Sequence, residues 1–163
     1  EFSRKLRLDL EEYWHDRSER ALVDSLIGEI VRRHDFVVPE GIVRGVLDSL
    51  LEEFKERQPN KKLPPDFKET EFREANRSYA VFQSKWYLIR ERIIEAEGMK
   101  ADDTDLERRA ERDAPKTGID KDRLLQFYNS SDAMKDKILS ERVIEFIKKN
   151  ADISETITDG MID

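Results

Sequence analysis

Cysteine is absent from the 163 residues, which excludes disulfides, thiolate nucleophiles and Cys-based zinc sites. Histidine occurs only as His15 and His34, with no H-E-x-x-H pairing that could grip a metal. Glycine (6) and proline (5) are scarce, and no Gly-rich phosphate loop is present. No stretch approaches the ~18–20 consecutive apolar residues that a membrane-spanning helix needs. An excess of positive charge is also lacking. Thirty Lys and Arg face 37 Asp and Glu, for a net charge of −7, so the clustered cations of a nucleic-acid footprint are not expected.

What the chain does have is helical periodicity on a polar background: 41% charged residues and a mean hydropathy of −0.78. Leu, Ile, Val and Phe recur too regularly for disorder. The spacing predicts helices over about 4–35, 39–58, 66–97, 103–115, 120–128 and 131–150. The first carries Leu6, Leu10, Tyr13 and Trp14, then Leu22, Val23, Leu26, Ile27, Ile30 and Val31. Pro39 should open the second helix, whose apolar face is Ile42, Val43, Val46, Leu47, Leu50, Leu51 and Phe54. Pro59 to Pro65 reads as a linker. Asp66 and Glu69 suggest a cap for the third helix, which carries a heptad-like seam of Phe72, Ala75, Tyr79, Phe82, Trp86, Ile89, Ile93 and Ala96. Gly98 stands where its C-terminal cap belongs. Asp120, and Ser130 or Ser131, should cap the last two helices. The fold class expected is all-α, and one helical domain over 1–163.

Catalytic chemistry finds no foothold. No nucleophile, base and oxyanion donor come together in the pattern. His34 reads as a helix-end histidine near the negative pole of the dipole. The carboxylate pairs Glu11–Glu12, Glu52–Glu53 and Asp102–Asp103 sit among Lys and Arg, as solvated faces do. Gly41 and Gly45 suggest close helix packing. Neither an enzyme nor a bound cofactor or metal is expected. One pattern points elsewhere: at 100° per residue, Val81 and Leu88 lie opposite the 72–96 seam, with Tyr87 and Ile94 on a flank. A helix apolar on two sides is either sandwiched or offers apolar surface to a partner. Phe127, Tyr128 and Met134 raise the same question on the C-terminal helices.

Several strings, taken in order, resemble the C-terminal domain of bacterial trigger factor, a ribosome-associated chaperone. They are Ala21-Leu22-Val23-Asp24-Ser25-Leu26, Phe36-Val37-Val38-Pro39 leading to Ile42-Val43, and Phe72-Arg73-Glu74-Ala75. Met99-Lys100-Ala101-Asp102 and Leu124-Leu125-Gln126-Phe127-Tyr128 follow. Arg142-Val143-Ile144-Glu145-Phe146-Ile147 closes the set with its acidic, Thr-containing tail. The resemblance runs from about Leu6 to Thr158. Glu107 to Lys116 departs from it, being more charged than the family's arm helix.

The resemblance implies an elongated, multi-helix domain with arm-like hairpins, similar also to the peptide-binding domain of SurA. It implies ATP-independent binding of unfolded or nascent polypeptides in a cytoplasmic setting. The ribosome-docking and prolyl isomerase domains of the family are not found in this sequence, so contact with the ribosome would run through a missing part. Glu1 in place of Met reads as a fragment or processed chain. The client-contacting residues expected are Val81, Tyr87, Leu88, Phe127, Tyr128 and Met134, and the acidic surface should favour basic client segments. A periplasmic SurA-type chaperone domain, or a scaffolding module that forms a homodimer through the 72–96 seam, are the rival readings.

Overall fold

Six α-helices account for most of the described residues, and no strand occurs among them. The structure is a computed structural model and describes residues 2–154, without the side chains of residues 2–4, 8 and 9. The helices are α1 (Phe2–Arg33), α2 (Glu40–Glu56), α3 (Glu69–Ala96), α4 (Asp103–Thr117), α5 (Lys121–Ser130) and α6 (Asp132–Asn150), with a short 3-10 turn at Pro59–Lys61. Each boundary lies within three residues of the one read from the sequence. The acidic tail from Glu155 onward lies outside the described residues.

The chain divides between Arg92 and Ile93 into two compact units. In the first, α2 and α3 form an antiparallel hairpin. The pairing shows it: Phe54 meets Phe72, Asp48 accepts from Arg73, Glu40 from Arg77, and Asp35 from Lys85, so partner numbers fall as α3 advances. Residues Gln58 to Pro65 make the turn, in which Asn60 and Lys61 take left-handed backbone (φ 59° and 55°). Asn tolerates that region better than most residues. Phe54, Phe67 and Phe72 close the tip, with ring centroids 5.2 to 5.6 Å apart.

Val43, Leu47 and Ala80 form the core of this unit, with Val38, Val46, Leu50 and Val81 packed round it. The outcome corrects the reading of α3. Its buried residues are Ala80, Ser84 and Arg90, whereas Tyr79 of the seam is half exposed. The side carrying Val81 therefore faces α2. Small side chains at Ala80 and Ser84 let the helices approach closely, and the Ser84 hydroxyl donates to its own helix at the Ala80 carbonyl (2.7 Å). Two further expectations fail. Gly41 and Gly45 have no atom within 4 Å of where a Cβ would stand, so no helix packs on them. Asp66 sits in a turn, with Phe67 N–H donating to the Pro64 carbonyl, and does not cap α3.

The second unit holds α4, α5 and α6 around Leu106, Ala110, Leu124, Tyr128 and Ile138. Its helix ends follow from the sequence chemistry. Met99 N–H reaches the Ile94 carbonyl and Gly98 N–H the Glu95 carbonyl, a Schellman ending to α3 with Gly98 at φ 58°. Asp102 and Asp105 cap α4 reciprocally, each carboxylate accepting the other's backbone N–H at 3.0–3.1 Å. Gly118 (φ 69°) ends α4, beyond Pro115, which the last turn accommodates. Asp120 accepts from Asp122 and Arg123 N–H, and Ser131 accepts from Met134 N–H. The charged α4 docks by few apolar residues: Leu106 and Ala110 are buried and Ala114 packs beside them. Arg109 to Glu141 (2.6 Å) and Arg142 to Asp105 (2.7 Å) tie it to α6.

Candidate functional site

Large apolar side chains stand in solvent on several helices of both units, and these are the features that ordinary core packing leaves over. Of the six residues singled out in the sequence, Phe127 is 62% and Tyr87 49% exposed. Val81, Leu88 and Met134 are half-buried: Val81 packs against the Val43 cluster and Met134 against the Leu106 cluster. Tyr128 is only 5% exposed and belongs to the core. Residues 127 and 128 are neighbours on α5, and 100° of helical rotation separates one in water from one in the interior.

Tyr128 also anchors a polar network. Its hydroxyl donates to Asp113 Oδ2 (2.9 Å), which also accepts from Arg109 Nε (2.8 Å), and Arg109 bridges on to Glu141. Burial alone would raise the Asp113 carboxyl. The hydrogen bonds from Arg109 and Tyr128 outweigh it and hold the group below the usual carboxylate range. Burial, then the neighbouring carboxylate, pushes the Tyr128 phenol up. Every member has a partner, so the network fastens α4, α5 and α6 and offers no spare acid or base.

Other groupings carry less. Among the described residues no three His, Asp or Glu side chains gather closely enough to hold a metal ion. A cleft of about 360 Å³ between α4 and α6 is walled by Arg108, Arg109, Arg112 and Arg142 against Asp105, Glu141 and Glu145. Four cations meet three anions there, with Ile138 as the one apolar side chain, so it is no pocket for an apolar ligand. His34 Nδ1 lies 2.8 Å from the Ile30 carbonyl at the end of α1, as a helix-end histidine should.

The sequence reading missed the largest exposed group. Leu6, Leu10, Tyr13 and Trp14 on the first half of α1 are each about half exposed, whereas Val31 in the second half is buried. A signal was available. At 100° per residue the stripe from Leu6 to Trp14 points roughly 140° away from the stripe running from Leu22 to Val31, so one packed side cannot hold both. Tyr79 and Ile119 join the exposed set, and Val37 stands 93% exposed in the extended link between α1 and α2.

Comparison with known proteins places these features in a family context. The family model described as the bacterial trigger factor protein C-terminus matches residues 1–149. The chain is 32% identical over 159 residues to the trigger factor of Chloroherpeton thalassium, covering 94% of this chain and 36% of that protein. It is 29% identical to the trigger factor of Salinibacter ruber, with 93% and 34% covered, and 30% identical to that of Chlorobaculum tepidum, with 97% and 38% covered. The chain thus spans little more than a third of the length of these relatives. No solved structure matches it.

Proposed function

Because the chain belongs to the bacterial trigger factor C-terminus family, a membership that supports a chaperone role, we propose that it holds unfolded or nascent polypeptides without ATP, through dispersed apolar patches. The observation that carries this reading is the scatter of half-exposed or fully exposed Leu, Val, Tyr, Trp and Phe side chains over both units. Clients that expose apolar groups in no fixed geometry need area, and burial is worth about 25 cal/mol per Å² before ordering costs. Several contacts of ~100 Å² each then give graded, reversible holding. Release needs no nucleotide when each contact is weak.

Tyr87 and Phe127 make direct contacts in this scheme. Val81, Leu88 and Met134 offer their open edges, and Tyr128 supports Phe127 from inside. Both units together act as one client-binding domain. Its setting is the cytoplasm, and contact with the ribosome belongs to parts of the relatives that this chain does not span. No described helix is long and apolar enough to cross a membrane. Replacing Tyr87 and Phe127 with Ser should weaken suppression of aggregation of a chemically denatured reporter severalfold, with the helical circular dichroism unchanged. Undiminished suppression by the double variant would sink the reading. A tight homodimer that ignores denatured protein would put scaffolding in its place.

A further inference from the structure

The link between α1 and α2, residues 34–39, is anchored by its side chains and open along its backbone. Phe36 and Val38 are half-buried. Lys85 Nζ of α3 lies over the Phe36 ring, 5.5 Å from its centroid, and Val38 packs on the Val43, Leu47 and Ala80 cluster. Val37 between them points out and is 93% exposed. That in–out–in order is the two-residue period of an extended strand, and Pro39 behind it keeps Val38 out of the helical region. Lys85 also donates to Asp35 Oδ1 (3.3 Å), so α3 holds the link at two successive residues. The main chain is not held in this way. Beyond the link, the Pro39 carbonyl accepts from Ile42 and Val43 N–H, but among the described residues no backbone N–H or carbonyl of Phe36, Val37 or Val38 is hydrogen-bonded to the protein.

Resting on the client-holding reading above, we propose that Asp35 to Val38 is a docking edge, at which a client segment adds as one extended strand. The chemistry of the open groups says what fits. Unpaired N–H and carbonyl groups along an extended run are a template for another extended main chain, which meets them in regular register. In an antiparallel partner one residue exchanges both N–H···O bonds with Val37, and its apolar side chain covers the exposed isopropyl group. Such pairing reads backbone more than sequence, which suits clients that share no motif. Anchoring by Lys85 and by the Val43 cluster matters, because a link already held extended loses less freedom when a strand joins it. The run is too short for a second copy of the chain to be the occupant. Four residues span about 13 Å, and two such links laid side by side bury far less than the about 800 Å² per partner of a standard stable interface. Pro39 offers no N–H and stops the ladder at one end, and α1 stops it at the other.

The probe is a short peptide of alternating Thr and Val with lysine at each end, beside a depsipeptide twin. In the twin, esters replace the amides, so the donors are gone while the side chains stay. Titrated into the isotope-labelled full chain and followed by nuclear magnetic resonance, the amide peptide should slow exchange of the Val37 N–H with water severalfold. It should also bind several times more tightly than the twin. Val37→Pro removes that donor next to residues already extended, and should erase the preference with the helical circular dichroism unchanged. Val37→Thr, which keeps the main chain and the branched shape, should retain it. If Val37→Pro disturbs the fold, the two probes on the unsubstituted protein decide alone. Equal binding of the two probes, or no added protection over Phe36 to Val38 while aggregation is still suppressed, overturns the docking edge and leaves client holding standing. An unsubstituted protein that suppresses no aggregation would fell both. Protection at Val37 that grows as the protein alone is concentrated would name a second copy as the occupant and overturn the inference.

Discussion

Asp113 shows how one carboxylate can fasten three helices. It sits on α4, accepts from Tyr128 of α5, and shares Arg109 with Glu141 of α6. Its side chain is 18% exposed and that of Arg109 12%, so solvent screens the pair little. Asp113→Asn keeps the shape but removes the charge, and should destabilise the second unit by about 1–3 kcal/mol in urea denaturation. The sign of the pH dependence follows from the lowered folded-state value. Above the ordinary carboxylate range both states are ionised and the contribution is complete. As pH falls below about 4, the unfolded chain takes up a proton first and the contribution is lost as pH drops through the folded value. Wild-type stability should therefore fall more steeply below about pH 4 than that of the Asn variant. Parallel curves would show that the charge contributes nothing. Tyr128 works in the opposite sense at alkaline pH, since its raised value makes the folded state hold its proton as the unfolded phenol ionises.

At the scale of elements, helix ends were legible because they are written in short-range chemistry. Asp120 and Ser131 cap, and Gly98 and Gly118 stop, through bonds spanning five residues or fewer, whereas Asp102, read with Asp103 as a solvated pair, caps α4. This matters most for α4, which has few apolar residues to hold it. Asp102→Ala should cost about 1 kcal/mol, and Gly98→Ala, at a left-handed φ, about 1–2 kcal/mol. Selective loss of amide protection in the first turn of α4 would check the former. What the sequence did not disclose was which side of α3 faces inward. Both sides carry apolar residues, and hydropathy favours the side with Phe82, Trp86 and Ile89. The helix instead buries Ala80 and Ser84 against Val43 and Leu47, because close approach depends on small volume, which a hydropathy pattern does not register. The same blind spot credited Gly41 and Gly45 with packing they do not make. Exposure at the proposed client-contacting positions was legible in part: Phe127 and Tyr87 are open, but the one-residue step that buries Tyr128 requires the phase of α5 against α4 and α6. The α1 stripe was readable from its phase jump alone.

For the whole molecule, the two cores share no residue: Val43, Leu47 and Ala80 serve one unit, and Leu106, Ala110, Leu124, Tyr128 and Ile138 the other. Each is small, and each is ringed by charged residues that leave apolar side chains uncovered nearby. A large common core would draw such side chains in, so division into modest cores is one way a short chain keeps apolar surface available while remaining folded. The division has a measurable consequence. Leu106→Ala removes a side chain that is 1% exposed and should cost the second unit about 2–5 kcal/mol, and Leu47→Ala should do the same in the first. In native-state hydrogen exchange, Leu106→Ala should lower protection along α4 to α6 and leave α2 and the Arg73–Ser84 part of α3 close to wild type. Leu47→Ala should do the converse. A uniform loss throughout the chain from either substitution would show one cooperative core, and the account of exposed surface as a product of divided packing would then fail.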